Sequence, residues 1–394
     1  MTNALTLAFP LATITNNLTI IGRTDVQTVI SGGGSLPLFT FAAGTTNTLS
    51  QLVLINGTTT NGGAAINNAG TLSVSSCVMS NNSAPDGNGG AFSNSGTMTI
   101  ADAVFQNNQA TNGGAVFSAG NMTVTGSLLS QNQAGNGGAI YNTGTLALDT
   151  LNISNNLATL GFGGAVYNGG SLTVNSCTLA FNQAAGGAGG DSSNGGGGGG
   201  GGFGGGLFTM SGSVMAMNIT FYSNTALGGR GGYGGITGIN GSGGGNNGAV
   251  YGSFNDGTGG FGGGGAGADA DFGRIRGGNG GFGGGGGGFY ASGGPAGVGG
   301  FAGGNAAPVY TAGFFGIPGG GGAGLGGAIF VEGGTLGLIN CTLTANCVLA
   351  GAGGLTFNPD PTGWASPGQG IGGGVFNHNG TARLLNTIIA GNIT

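Results

Sequence analysis

Hydrophobic and polar residues alternate in short runs that recur about every 24 residues along much of this chain of 394 residues. In most repeats a Gly-Thr or Gly-Ser pair opens the run, and the first and third residues after the Thr or Ser are apolar. Alternation with a period of two predicts a strand with one buried face. The Thr or Ser position recurs at Thr71, Thr97, Asn121, Thr145, Ser171, Ser213, Thr335 and Thr381.

Three further columns repeat with the strand. Gly-Gly-Ala begins before it, at Gly62, Gly89, Gly113, Gly137, Gly163 and Gly326, with degenerate copies at Gly205 and Gly373. Eight residues after the Thr or Ser stands an apolar residue: Met79, Phe105, Leu129, Ile153, Leu179, Phe221, Leu343 and Ile389. Three residues later the repeat always has asparagine: Asn82, Asn108, Asn132, Asn156, Asn182, Asn224, Asn346 and Asn392.

A repeat of this length, with two or three short strands, is too small to bury its own apolar side. Stacked repeats can do so, each forming one coil. We therefore predict an all-β fold, a single-stranded parallel β-helix of about ten coils, right-handed by the crossover rule. The count includes two coil-like segments before the first motif, Leu5–Ile21 and Leu36–Gly57. The asparagines are predicted to form a structural ladder of amide hydrogen bonds between coils.

Glycine-rich insertions divide this solenoid. We place N-terminal coils at 1–185, an insertion at 186–204, a coil at 205–227, a long insertion at 228–325, and C-terminal coils at 326–394 with a further insertion at 351–370. The insertions are either flexible loops or packed layers of polyproline II type. In the packed case, their aromatic rings would form a small apolar core against the solenoid. The rings of the long insertion are Tyr233, Tyr251, Phe254, Phe261, Phe272, Phe282, Phe289, Tyr290, Phe301, Phe314 and Phe315.

Composition excludes several classes of function. The chain has 104 glycines, 4% charged residues and a net charge of −5, which cannot supply the basic face that a nucleic-acid partner requires. There is no run of 18 apolar residues, so we expect no membrane span in this chain. The start of the chain has no basic region or cleavage motif typical of a signal peptide.

Candidate catalytic and metal-binding chemistry is sparse. The one charge cluster, Asp269, Asp271, Arg274 and Arg276, is interpreted as a solvated salt-bridge group within a loop. Two isolated GGxGxD matches, Gly186–Asp191 and Gly264–Asp269, resemble a calcium repeat but lack the tandem context. His378, the single histidine, is interpreted as an outward polar residue. We therefore expect no enzyme activity, no cofactor and no metal.

The cysteines and threonines add two further expectations. Cys77, Cys177 and Cys341 share one repeat position that faces inward, several coils apart, which predicts buried free thiols. An ice-binding face would require a regular Thr-x-Thr ladder. The sequence shows a single partial threonine column, so this face is not predicted from the sequence; the column is Thr19, Thr71, Thr97, Thr145, Thr335 and Thr381.

The segment Gly137–Leu148, GGAIYNTGTLAL, is typical of the repeat, and Ala103–Asn107 carries a loose FxxN. This pattern resembles the GGA(I/V/L) and FxxN repeats of chlamydial polymorphic outer-membrane proteins, and the wider group of bacterial β-helix surface proteins and autotransporter passengers. The resemblance implies surface exposure and adhesion-type roles.

The ends of the solenoid motivate the leading hypothesis. Unpaired strand edges pair readily with another chain, and terminal repeats normally need polar caps. We expect a non-enzymatic extracellular or cell-surface structural protein that stacks end to end on copies of itself into a fibre or sheath. The alternative is an adhesin or autotransporter-type passenger fragment that binds a host or matrix surface; a polysaccharide-cleaving enzyme is a remote third. The candidate assembly edges are Leu5, Leu7, Ile14, Leu18, Ile20, Leu384, Ile388 and Ile389.

Overall fold

The chain folds into a parallel β-helix, with four strands in each regular coil rather than the two or three expected. The computed structural model describes residues 4–192, 195–234, 242–245, 248, 257–269, 276–290, 295–308, 316–355 and 364–394. Each regular coil contributes one strand to each of four parallel sheets, numbered here 1 to 4 in the order in which a coil passes through them, and within those residues sheet 4 begins only at Ser83–Asn88. The fourth strand, after the ladder asparagine, was missed because its short polar segment has little apolar alternation.

Sheets 1 and 2 carry the repeat signature. Within the described residues, the strands of sheet 1 are Phe39–Phe41, Ile66–Asn68, Phe92–Asn94, Val116–Ser118, Ile140–Asn142, Val166–Asn168, Leu207–Thr209, Ile329–Val331 and Val375–Asn377. Those of sheet 2 are Leu18–Ile21, Thr46–Ser50, Thr71–Ser75, Thr97–Ala101, Asn121–Thr125, Thr145–Asp149, Ser171–Asn175, Ser213–Met217, Thr335–Ile339 and Thr381–Leu385.

Sheets 3 and 4 complete the coil. In the part of the chain that the structure describes, sheet 3 comprises Ala4–Thr6, Thr28–Ser31, Leu52–Ile55, Val78–Ser80, Val104–Gln106, Leu128–Ser130, Asn152–Ser154, Thr178–Ala180, Thr220–Tyr222, Thr342–Thr344 and Ile388–Ala390. Sheet 4 comprises Ser83–Asn88, Gln109–Asn112, Gln133–Asn136, Leu157–Phe162, Gln183–Ala185, Thr225–Leu227 and Cys347–Leu349, with Gly202–Phe203, Gly324–Leu325 and Gly370–Ile371 beside them. A separate pair joins Ala268–Asp269 to Phe289–Tyr290.

The strand pairing confirms the registers read from the sequence. Thr97 pairs with Thr71 on one side and Asn121 on the other, and Phe105 pairs with Met79 and Leu129. The inward side chains therefore lie over one another in columns and form one continuous apolar core from the first coils to the last. Each large apolar side chain so buried contributes about 1.5–3 kcal/mol before ordering entropy is subtracted.

The glycine motif needs one correction of register. Gly63, Gly204 and Gly372 occupy the position of Gly89 and have positive φ of 68°, 63° and 72°. The copies placed at Gly62, Gly205 and Gly373 are therefore displaced by one residue. Most coils need glycine at two positions of this corner: one has positive φ, and at the next the backbone of the following coil comes too close for a side chain. An additional glycine beside these positions shifts the sequence motif by one residue without shifting the corner. A Cβ on Gly90 would clash with the Gly114 carbonyl oxygen of the next coil.

The described parts of the insertions form a packed bundle, which decides between the two alternatives left open by the sequence. Gly196, Gly199 and Gly202 donate their backbone N–H groups to one neighbouring segment, at Ile317, Gly320 and Ala323. The N–H groups of Gly197 and Gly200 donate hydrogen bonds to a second segment, within 187–190, and those of Gly198 and Gly201 donate to a third, within 262–265. The hydrogen-bonded neighbour therefore repeats every three residues. Three residues per turn is the periodicity of the polyproline II conformation.

The bundle and the solenoid share an aromatic core, as expected for a packed insertion. Phe203, Phe208 and Phe330 of the solenoid are fully buried, and Phe261 and Phe282 of the insertion pack against them. Of the rings named from the sequence, Tyr251, Phe254, Phe272, Phe314 and Phe315 lie outside the described residues.

The described residues include no helix long and apolar enough to cross a membrane.

Candidate functional site

The eight predicted asparagines lie in one buried column at the corner between sheets 3 and 4. The Nδ2 group of each donates to Oδ1 of the next at 2.9–3.0 Å, from Asn82 through to Asn392. The backbone N–H of each donates to the same Oδ1 atom, as from Asn108 to Asn132 at 3.0 Å. Because these amides satisfy one another away from water, the ladder fixes the coil spacing as well as the corner.

A residue in the left-handed region precedes each ladder asparagine. Asn81, Asn107 and Asn155 have φ of 54°, 56° and 56°, which asparagine tolerates well. Phe181 has φ of 57° at the same position, and its ring is 54% exposed. A bulky residue in this region is a backbone outlier. Its ring meets Tyr222 edge-to-face at 5.3 Å, which makes an exposed aromatic pair.

A second asparagine column lies in sheet 1 and was missed in the sequence, although the GGAxxN spacing carried it. Asn68 donates to Asn94 and Asn142 donates to Asn168, both at 2.8 Å. The column is interrupted by Ser118 and Thr209, which occupy the same register. Their hydroxyls are buried and lack a hydrogen-bond partner within the described structure. The two gaps are therefore points of unmet hydrogen bonding within this column.

An aromatic column on the outer face of sheet 1 connects the solenoid to the bundle. Its rings stack from coil to coil with centroid distances of 4.2–5.6 Å, in the order Phe117, Tyr141, Tyr167, Phe208, Phe330 and Phe376. The bundle covers the middle of this column, where Phe208 and Phe330 have no exposed surface. A second stack, Phe261, Phe282 and Phe301, rises from the bundle with nearly parallel rings 5.1 and 5.0 Å apart.

Asp191 anchors the first insertion to the start of the second. Its carboxylate accepts two hydrogen bonds from the Arg230 guanidinium, at 2.8 and 3.1 Å, and one from the Tyr233 backbone at 2.9 Å. The Arg230 guanidinium holds the pKa of this carboxyl below its ordinary value. Because both carboxylate oxygens have protein partners, the GGxGxD match that ends at Asp191 serves a structural contact.

The remaining candidate groups are dispersed. Within the described residues there is no cluster of three or more His, Cys, Asp or Glu side chains. Asp271 and Arg274 lie outside the described residues, so their predicted salt-bridge group is not seen as a whole. His378 faces outward as expected, but its Nδ1 lies 2.8 Å from Glu332 Oε2 and its ring lies 4.2 Å from that of Phe282.

The three cysteines of the shared position are buried free thiols, as predicted. Cys77, Cys177 and Cys341 are 1%, 2% and 1% exposed. Burial raises the pKa of each thiol, which disfavours the reactive thiolate. Cys347, in sheet 4, is also free and is partly exposed.

The described end coils expose apolar side chains that are buried in every coil between them. Leu5 is 63% exposed at one end, and Leu384 and Ile389 are 46% and 44% exposed at the other. Leu7, Ile14 and Ile20 are half-buried against the core. Leu18 is also half-buried, and it pairs with Asn47 of the next coil in sheet 2. Ile388 pairs with Thr342 on the outer face of sheet 3, so it lies at the same edge as Ile389 but points outward.

The inward apolar side chains exposed at the two ends belong to the same columns. Leu5 begins the sheet 3 column that ends at Ile389, and Ile20 begins the sheet 2 column that ends at Leu384. A cleft of about 580 Å³ at the first end is lined mainly by apolar side chains, among them Leu5, Leu11 and Ile20. Further coils with the same repeat would therefore continue the apolar columns at either end.

Comparison with known proteins adds no assignment: no family model, curated protein or solved structure matches the chain.

Proposed function

We propose that this chain is a non-enzymatic structural protein of the cell exterior, and that its solenoids stack head to tail into a fibre or sheath. The observation that carries the proposal is the match between the first and last strands of sheet 3. With one strand spacing between copies, about 4.8 Å, Ile389 of one copy lies over Leu5 of the next. Leu384 then lies two spacings from Ile20, because sheet 3 has one more strand than sheet 2.

The energetics favour this contact. Apolar side chains that the end coils leave exposed become buried, at about 1.5–3 kcal/mol for each large side chain. The free edges of sheet 3, Ala4–Thr6 and Ile388–Ala390, gain main-chain hydrogen bonds in the same step. With only 4% charged residues, the chain offers little electrostatic resistance to association. Because opposite ends meet, the contact is heterologous and propagates into an open filament rather than a closed dimer.

Adjacent residues of the last sheet 3 strand provide a matched test. We expect wild-type protein to form filaments in negative-stain micrographs and to sediment as a concentration-dependent series. Ile389→Arg places a charge in the inward column and should abolish growth. Ile388→Arg places the same charge on the outer face and should leave growth intact.

Two variants that each block a different end of the solenoid test whether the contact joins opposite ends. The Ile389→Arg variant keeps a competent first end, and Leu5→Arg keeps a competent last end. Each alone should remain monomeric, whereas their mixture should give dimers and nothing longer. Monomers of wild type at every concentration would overturn the proposal, as would equal loss with Ile388→Arg and Ile389→Arg.

A second candidate, an adhesin passenger, draws support from the exposed pair Phe181 and Tyr222. A strained backbone that presents an aromatic ring to solvent is a feature found at binding sites. Phe181→Asn relieves the strain and removes the ring, so the variant should keep its fold and assembly. Beads coated with it should then bind less well than wild-type beads to surfaces coated with collagen or fibronectin. Equal attachment by both would count against adhesion through this pair.

A further inference from the structure

The outer face of sheet 2 presents an array of hydroxyl groups over six consecutive coils. These strands pair in register without a bulge. The first outward column is Thr46, Thr71, Thr97, Asn121, Thr145 and Ser171. The second is Thr48, Ser73, Thr99, Thr123, Ala147 and Thr173. The third column is mixed and borders the array: Ser50, Ser75, Ala101, Thr125, Asp149 and Asn175.

This array differs from the single partial threonine column seen in the sequence. Thr19 pairs with Thr48, so it belongs to the second column and not to that of Thr71. The second column is not evident in the sequence because serine and alanine interrupt its threonines, and because only the strand pairing aligns Thr48 with Ser73. The face thus has two neighbouring hydroxyl columns, which is the ladder that the sequence did not predict.

The hydroxyls of this face are open to solvent. Thr71, Thr97, Thr99 and Thr123 are exposed, and within the described structure their hydroxyls make no hydrogen bond to protein. Their β-branched side chains have few χ1 choices, so neighbouring coils repeat the same orientation. A shallow trough of about 230 Å³ runs between the second and third columns and is lined by Ser73, Thr99, Thr123 and Thr125, among others.

The spacing of the array identifies its ligand class. Neighbouring coils place equivalent side chains about 4.8 Å apart, and alternate residues along a strand lie about 6.6 Å apart. The first distance is close to the repeat between oxygen positions in the basal plane of hexagonal ice, and the second is somewhat shorter than the repeat along its c axis. Each threonine contributes a methyl group and a hydroxyl, so water above the face can be ordered by hydrogen bonds around a fixed apolar grid.

We propose that this hydroxyl face binds the surface of ice. The first two columns carry no charged side chain over these coils, whereas a charge would hold its own hydration shell. The columns also carry no aromatic ring on which a sugar could stack, which disfavours a crystalline polysaccharide. The Asn82-to-Asn392 ladder holds the coils in register, so little order is lost on binding.

The array is bounded within the molecule. In the second column, Met215, Gly337 and Arg383 follow Thr173, so the pattern stops where the coils that carry the long insertion begin. Ala147 is the one non-hydroxyl residue in the second column between Thr48 and Thr173. The proposal is independent of end-to-end assembly, because sheet 2 faces sideways from the solenoid axis.

Thermal hysteresis and partition of fluorescently labelled protein into a slowly grown ice hemisphere test this proposal. Wild type should enter the ice and lower the freezing point below the melting point. Thr99→Arg, at the centre of the face, should reduce the partition about tenfold, the equivalent of about 1.4 kcal/mol. Gln106→Arg adds the same group to the outer face of sheet 3 in the same coil, and should behave as wild type.

A gain-of-function variant guards against loss by misfolding. Ala147→Thr completes the second column, and should raise hysteresis and ice partition above wild type. Exclusion of wild type from ice, at the level of serum albumin, would overturn the proposal. So would equal loss by Thr99→Arg and Gln106→Arg, no gain from Ala147→Thr, or retention on cellulose or chitin powder without affinity for ice.

Discussion

The side-chain amide of Asn224 donates to Oδ1 of Asn346 at 2.9 Å, although 122 residues separate them in the chain. The same amide donates to the Leu179 carbonyl at 2.8 Å, and Asn224 Oδ1 accepts from the Asn182 amide at 2.9 Å. The coil before the long insertion and the coil after it are therefore direct neighbours in the ladder. The insertion is an outgrowth from one corner, and the repeat continues across it without a change of register.

Asn224→Ala should lower the free energy of unfolding by about 3 kcal/mol. The change leaves buried donors and acceptors of Asn182, Asn346 and Leu179 without partners, at about 1–3 kcal/mol for each unsatisfied group, partly offset by relaxation. Chemical denaturation followed by circular dichroism measures the loss. Gln133→Ala, at an exposed site on sheet 4, is the control and should change stability by less than about 0.5 kcal/mol. A similar small effect for both variants would contradict the role given to the ladder.

Ser118→Asn should stabilise the protein. The new amide would lie between Asn94 and Asn142 in the sheet 1 column and replace a buried hydroxyl that has no partner. We expect a gain of about 1 kcal/mol, the net value of a typical hydrogen bond, seen as a higher melting temperature. Ser118→Ala removes the hydroxyl without extending the ladder, and should gain less. A lower melting temperature for Ser118→Asn would show that the gap has a steric cause.

Gly199→Ala should disrupt the glycine-rich bundle. A Cβ at this position would approach the Gly229 carbonyl oxygen, and both backbones are enclosed by other segments of the bundle. Overpacking of this kind costs about 3 kcal/mol or more, so amide hydrogen exchange should accelerate across 195–202. Gly169→Ala is the matched control, because the nearest atom to its Cβ would lie at 3.7 Å and its exchange should stay at the wild-type rate. Equal protection in both variants would contradict the close packing.

Acid should loosen the contact between the two insertions at Asp191. The pKa of its carboxyl is lowered in the folded protein by Arg230, so the contribution to stability is complete above the ordinary value of 3.8. It is lost as the pH falls through the lowered value. Pepsin cleavage of native protein within 195–234 should therefore rise as the pH is lowered from about 4.5 towards 2.

The corresponding variant removes this pH dependence. Asp191→Asn should be cleaved faster than wild type at the upper end of the range and should show a flatter profile. Asp25→Asn breaks the fully exposed pair with Arg23 and should keep the wild-type profile. A profile for Asp191→Asn that matches wild type would assign the acid effect to another group.

The second ladder shows the limit of reading one repeat at a time. Asn68, Asn94, Asn142 and Asn168 follow the glycine motif at a constant distance, so a signal was present. Ser118 and Thr209 hid it, since a column with gaps resembles ordinary composition. The aromatic column beside it was also hidden, because its coils carry phenylalanine or tyrosine interchangeably.

The alternation of apolar residues and the repeated asparagines determined, by themselves, that the chain forms stacked coils with a buried ladder. These features are local and periodic, and a period of two with one buried face has few other solutions. Only the tertiary structure decided the packing of the glycine tracts, the column to which Thr19 belongs, and the outward direction of Ile388. Each of these depends on which segment lies beside which across many residues of chain, and glycine carries no side-chain pattern to reveal its neighbours.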